Sequence, residues 1–358
     1  MKLSNVNDKV TMMPQFFFRL FFLVLVLSCI TGPGMAQQPQ HVLQGKTICL
    51  DPGHGGTAET DQYRVGPSGE REEWVNLRVG LALEKLLEEQ GATVVMTRDE
   101  DIDVPLAERA QLAVEHEADL FVSIHHNATA DPSVNFPIVY FHGNASENRA
   151  GVRLGRLLIN RLSVELFEDE NPASLVSDRV IFPGRGTSVL RGTYGIPAVL
   201  AEASFFTNPA EEQRLKDPDY NQREARAYLK AIKSFFASPP PPIHEKDSRV
   251  EVRPFQVLQE AERMKPVARK WRSNFIKGRS LYQKGDTLSL EQALDLFTIS
   301  ARSFPDSWLA RQAHRYRARI FEKAGEHQKQ REAETRVEEH YVPLLRNERY
   351  LNQLKKEN

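Results

Sequence analysis

Four short stretches of this 358-residue chain hold polar groups that their apolar neighbours do not require. "LDPGHGG" sets His54 in a turn after one apolar run. "DLFVSIHHNA" sets His125 after a second, and "IPAVLAEASFF" sets Glu202 after a third. "EREEW" offers Glu70, Glu72 and Glu73 where a helix is expected to begin. Two imidazoles and one carboxylate form a zinc site with the fourth position left for water. A further glutamate that does not ligate then serves as general base. One zinc ion is therefore expected, and the residues alone leave open which acid of "EREEW" completes the set. Asp51, three residues before His54, is placed to orient a ligating histidine from behind. Glycines at 53, 55 and 56 permit backbone angles that other residues avoid and keep side chains out of the cleft.

Groups so far apart along the chain meet only if a sheet gathers them. "KTICLDPG", "ATVVMTR", "DLFVSIHHNA", "PIVYFHG" and "PAVLAEASFF" read as buried strands. "EEWVNLRVGLALEKLLEEQG" reads as a mostly buried helix with Gly91 as its stop. "VPLAERAQLAVEHEA" reads as a helix with Leu106, Ala110, Leu112 and Ala113 inward, and "RAGVRLGRLLINRLSVELF" as a third. The expected fold is α/β, a mostly parallel sheet covered by helices on both faces. Functional groups of such sheets collect past the carboxyl ends of the strands. His125 and His126 alternate across a strand, so the two cannot both ligate easily. The stretch "EDENPASLVSDRVIFPGRG" is expected to be a loop.

"SPPPPI" blocks both helix and central strand and marks a linker over residues 238–250. Residues 251–358 read as a small all-helical region of helical hairpins. In it Gly278, Ala293, Phe297 and Pro305 roughly follow the tetratricopeptide pattern, with about three extra residues at the turn. Charge divides along the same boundary. Residues 37–243 carry 20 Lys and Arg against 30 Asp and Glu, and residues 244–358 carry 24 against 17. The basic tail is read mainly as solvated helix surface; a protein partner for it is one possibility, and no nucleic-acid partner is expected.

At the N-terminus, "FFFRLFFLVLVLSCI" between basic residues and "GPGMA" reads as a signal peptide over residues 1–36, cut after Ala36. An uncleaved anchor, or a lipoprotein box at "VLSC", are the alternatives. All three export the chain to the periplasm or cell exterior. The chain has 2 cysteines, Cys29 and Cys49, which exclude a disulfide framework and a Cys-rich zinc module.

"LDPGHGG", "EEWVNL", "MTRDED", "LAERAQLA", "FVSIHHNA" and "PAVLAEASFFTNPAEEQRL", in this order over residues 45–237, resemble the zinc-dependent N-acetylmuramoyl-L-alanine amidases of the type 3 family. The resemblance implies cleavage of the amide between the lactyl group of N-acetylmuramic acid and the L-alanine of the peptidoglycan stem. It matches His54 and His125 to the family's histidine ligands, Glu72 to its carboxylate ligand four residues before Asn76, and Glu202 to its catalytic glutamate. His126 stands where the family often has a small residue and is expected to be an extra pocket group. Asn127 and Arg185 are placed to contact substrate. Some family members carry a helical plug over the cleft; none is expected between His125 and Glu202. A zinc peptidase acting on stem peptides, or a non-catalytic wall-binding scaffold, are the rival readings.

Overall fold

The computed structural model describes residues 42–60, 64–244 and 249–354. The expected leader, residues 1–36, lies outside them. A six-stranded sheet is built from β1 (Thr47–Pro52), β2 (Thr93–Met96), β3 (Leu120–Asn127), β4 (Ile138–Phe141), β5 (Ser174–Ser177) and β6 (Ala198–Phe205), in the order β2-β1-β3-β6-β4-β5. Every pairing is parallel except β4 with β6. The central strands β1 and β3 are buried on both faces, which is why they read as continuous apolar runs.

One face is covered by α1 (Glu72–Glu88), α3 (Arg149–Phe167) and α6 (Pro218–Phe236), and the core there includes Ile48, Leu50, Val122, Val79, Leu158 and Tyr228. α3 matches its expected span. Asn148 caps its first turn by accepting from the Gly151 amide. α1 is less buried than its sequence implied, because Leu81 is 38% exposed. A helix meeting a sheet on one side cannot hide every apolar position of a run this dense.

The opposite face is covered by α2 (Leu106–Glu115), α4 (Ser188–Gly192) and the C-terminal helices α8 (Trp271–Lys284), α9 (Thr287–Ser303) and α10 (Ala310–Lys323). Cys49, Phe121, Tyr140 and Leu200 share a core with Trp271, Phe297, Phe304 and Ala313. The Phe304 ring lies 6.0 Å from Phe136 and 6.1 Å from Phe205. The described residues accordingly fall in one compact unit. Gly278 lets Phe297 approach closely between α8 and α9, and α11 (His327–Glu339) buries little beyond Ala333, Arg336 and Val337.

"SLVS", expected within a loop, is the fully buried strand β5. Its outer edge is closed from far along the chain, where the Ser177 amide donates to the His340 carbonyl and the Val342 amide to that of Leu175. Four residues bounded by Pro172 and a 3-10 turn carry too little pattern to announce a strand, and its edge partner lies beyond local reading.

Candidate metal and acid–base site

The turn after β1 is shaped by three backbone choices. His54 has φ 59°, Gly55 127° and Gly56 65°, so the imidazole stands on a left-handed residue followed by two glycines. Gly53 is required for another reason. A Cβ on it would lie 2.1 to 2.6 Å from three ring atoms of His125. Two buried arginines from the "MTRDED" and "LAERAQLA" stretches lash the turn down. Arg98 donates to the carbonyls of Pro52 (2.8 Å) and Gly53 (3.0 Å), and Arg109 to those of Pro52 (2.9 Å) and His54 (2.7 Å). Burial and the neighbouring Arg109 bring the Arg98 pKa down to about 10.

His54, Glu72 and His125 each offer a ligand atom, and these atoms lie within 4.8 Å of one another. Glu72 Oε1 is 2.9 Å from His125 Nδ1 and 3.2 Å from His54 Nε2. Donors about 2.0–2.1 Å from a tetrahedral zinc stand roughly 3.3 Å apart, so both carboxylate–imidazole spacings are close to what the ion requires. Burial alone would raise the Glu72 carboxyl; His54 and His125 nevertheless hold it well below the usual range. Burial lowers the His125 pKa and keeps its imidazole neutral, the form that ligates. The other two acids of the cluster are taken elsewhere: Glu70 pairs with Arg78 (2.7 Å) and Glu73 with Arg71 (2.6 Å).

Glu202 lies directly across from His125 in the β3–β6 register, beside an irregularity between His125 and Asn127. Its Oε2 is buried and hydrogen-bonds to nothing among the described residues. Burial first, with Glu72 and Asp306 adding to it, pushes its pKa well above the usual carboxylate range.

Two residues take positions other than those expected, and a third does so in part. Asp51 bonds neither histidine. Opposite Ser123 in register, it accepts from Ser123 Oγ (2.6 Å), Thr97 Oγ1 (2.7 Å) and Arg109 Nη1 (2.9 Å), so it reaches His54 only through the grip of Arg109 on the backbone. Arg185 is exposed and lines neither lobe of the cleft. Gly184 and Gly186, at φ 90° and 67°, turn the loop so that Asp178 packs against Gly186 while Arg185 points outward. His126 lines the first lobe as expected, yet its imidazole makes its hydrogen bonds away from the ligand set. It is buried between Asn76 Oδ1 (2.9 Å) and Glu224 Oε2 (3.0 Å) on α6, and Glu224 holds its pKa up against burial. Asn76 also donates to Glu72, so this buried group braces the ligand carboxylate.

The donors stand where two lobes of a cleft meet, of about 530 and 560 Å³. His54, Arg64, His125, Phe182, Thr187 and Leu200 line both lobes. Asn127 and Glu202 line the first lobe only, together with Tyr140 and residues Leu258, Gln259, Ala261, Arg263 and Met264. Leu106, expected to point inward, is 57% exposed and lines the second. Arg64 donates to His54 Nε2 (3.1 Å). Neither Arg64 nor Arg263 was legible as a site group: one follows a stretch without periodicity, the other lies beyond the proline run.

Replacing Gly53 with alanine is expected to displace the His125 ring and weaken zinc affinity about ten- to hundredfold, as loss of a ligand-orienting contact does. Competitive zinc titration measures this; an unchanged affinity would mean that the ring's place is not set by Gly53.

By fold and donor set, the molecule is an α/β protein with three donors able to hold a metal ion beside a buried carboxyl. A family model described as N-acetylmuramoyl-L-alanine amidase matches residues 48–234, and the chain belongs to that family. The probable cell wall amidase LytH of Staphylococcus epidermidis is 31% identical over 201 residues, 55% of this chain and 60% of that protein. N-acetylmuramoyl-L-alanine amidase AmiA of Escherichia coli is 29% identical over 223 residues, 53% of this chain and 76% of that protein. The solved structure of amidase AmiC2 of Nostoc punctiforme aligns with 55% of this chain and 99% of its own, at 28% identity and a TM-score of 0.47. The match to LytH thus spans about 60% of that relative's length.

Proposed function

We propose that this chain is a zinc-dependent hydrolase of the amide between the lactyl group of N-acetylmuramic acid and the L-alanine of the peptidoglycan stem. It would act in the cell envelope after export, as the N-terminal segment suggests. The observation that carries the reading is the meeting of His54, Glu72 and His125 beside Glu202 in an open cleft, inside the segment that matches the amidase family.

A zinc ion held by His54, Glu72 and His125 supplies Lewis acidity, polarising a carbonyl and lowering the pKa of water to about 7. The chain's own groups do the rest. Glu202, with one oxygen free of hydrogen-bond partners among the described residues, takes the proton of the attacking water. Its buried setting, which favours the protonated form, suits it to deliver that proton to the departing alanine nitrogen. Arg98 and Arg109 keep the His54 turn from relaxing as charge shifts in the site. Among the described residues no helix is long and apolar enough to cross a membrane.

Product masses after digestion of purified peptidoglycan test the reading. Intact stem peptides with a free L-alanine amine are the expected products. Peptides cut between stem residues, with muramic acid still attached, would replace the amidase with a peptidase.

A further inference from the structure

The C-terminal region does more than cover the sheet, because Leu258, Gln259, Ala261, Arg263 and Met264 form a wall of the lobe that holds Glu202. Arg263 projects into that wall with its side chain 15% exposed. Its Nη2 donates to both oxygens of Asp306 (3.0 and 3.2 Å), and its guanidinium carbon lies 5.5 Å from the Phe304 ring centroid. Asp306, wholly buried, also accepts from Tyr140 Oη (2.5 Å). The guanidinium is therefore fixed from one side by a carboxylate, a phenol and a ring. Its Nε and Nη1 have no acceptor among the described residues, yet they are not sealed from the cleft.

The direction of proton transfer says which half of the substrate faces this cation. Glu202 must reach the departing alanine nitrogen, and Glu202 lines the first lobe only. The peptide accordingly enters that lobe, and the sugar side is left to the lobe lined by Asp103, Pro105, Leu106 and Ser188. We propose that Arg263, held by Asp306 and Tyr140, binds a carboxylate of the peptide stem and makes the C-terminal region a specificity element of the active site. A guanidinium with free N–H donors in a partly desolvated wall favours a carboxylate over a neutral amide through charge-assisted hydrogen bonds. Arg64, the other cation of the lobe, is already directed at His54 and Glu72.

This proposal rests on the amidase reading, and its test separates the two. Two muramoyl tripeptides are compared, identical except that one carries free peptide carboxylates and the other the corresponding carboxamides. The full chain is expected to cleave the carboxylate form with kcat/KM about 10- to 100-fold higher, the range of one charged hydrogen bond. Arg263→Gln is expected to abolish that preference, mainly through a higher KM for the carboxylate form, with zinc content unchanged; Arg263→Lys should retain part of it. Equal cleavage of both substrates by the unmodified chain overturns the proposal while the amidase reading stands, and needs no variant that folds. A preference that survives in Arg263→Gln assigns it to another cation and also overturns the proposal. Cleavage of neither substrate overturns the amidase reading, and the proposal with it.

Discussion

Glu202→Gln is expected to fold, bind zinc and melt as the unmodified protein does, yet lose about 10² to 10⁴ of its amide-cleaving rate. The substitution is nearly isosteric. The carboxyl it replaces has one oxygen without a hydrogen-bond partner among the described residues, so an amide there breaks no hydrogen bond seen for that atom. What disappears is the capacity to take a proton from water and return it to nitrogen. Zinc analysis, a melting curve and turnover on muropeptide, taken together, check this. Cleavage at the unmodified rate would remove Glu202 from the chemistry.

His125→Ala is expected to have an effect as large by a different route. It takes away one of three donors and one of the two imidazoles flanking Glu72 Oε1. Zinc content should fall from one ion per chain to near none, and cleavage with it. Glu72 is buried, so losing a partner there should also cost about 1–3 kcal/mol of stability. Elemental analysis and the melting midpoint measure the two consequences separately. Full zinc occupancy in this variant would show that the donors lie elsewhere.

The contrast between the two variants follows from the way β3 and β6 share the site. His125 and Glu202 are register partners on neighbouring strands, so a single pairing sets both the ligand and the acid–base group. That pairing was partly legible beforehand. Each residue ends an apolar run, and runs buried on both faces belong to the middle of a parallel sheet. The alternation of His125 and His126 was legible for the same reason, since period two is a property of the strand itself. Its consequence was not, because Glu224, which receives His126, lies on a helix whose position only the tertiary fold decides.

Asp51 illustrates the same limit. Its place three residues before His54 suggested contact with a ligand, but its strand position aims it at Ser123, Thr97 and Arg109. The arginines of "MTRDED" and "LAERAQLA" turn out to serve the His54 turn, a role that their stretches do not advertise one at a time. Least legible was the C-terminal region. A proline run and a change of charge suggested a separate body, whereas Phe304, Trp271 and Phe297 supply part of the core beneath the sheet's second face. Apolar helix faces reveal that they must be covered, not by what.

The most direct measurement is peptidoglycan digestion by the full chain before and after complete removal of metal, followed by stepwise return of zinc. Release of stem peptides with a free L-alanine amine should stop on removal and recover fully at one equivalent of zinc per chain. Undiminished release of those peptides from protein verified to be free of metal would contradict the account, whatever the geometry of His54, Glu72 and His125.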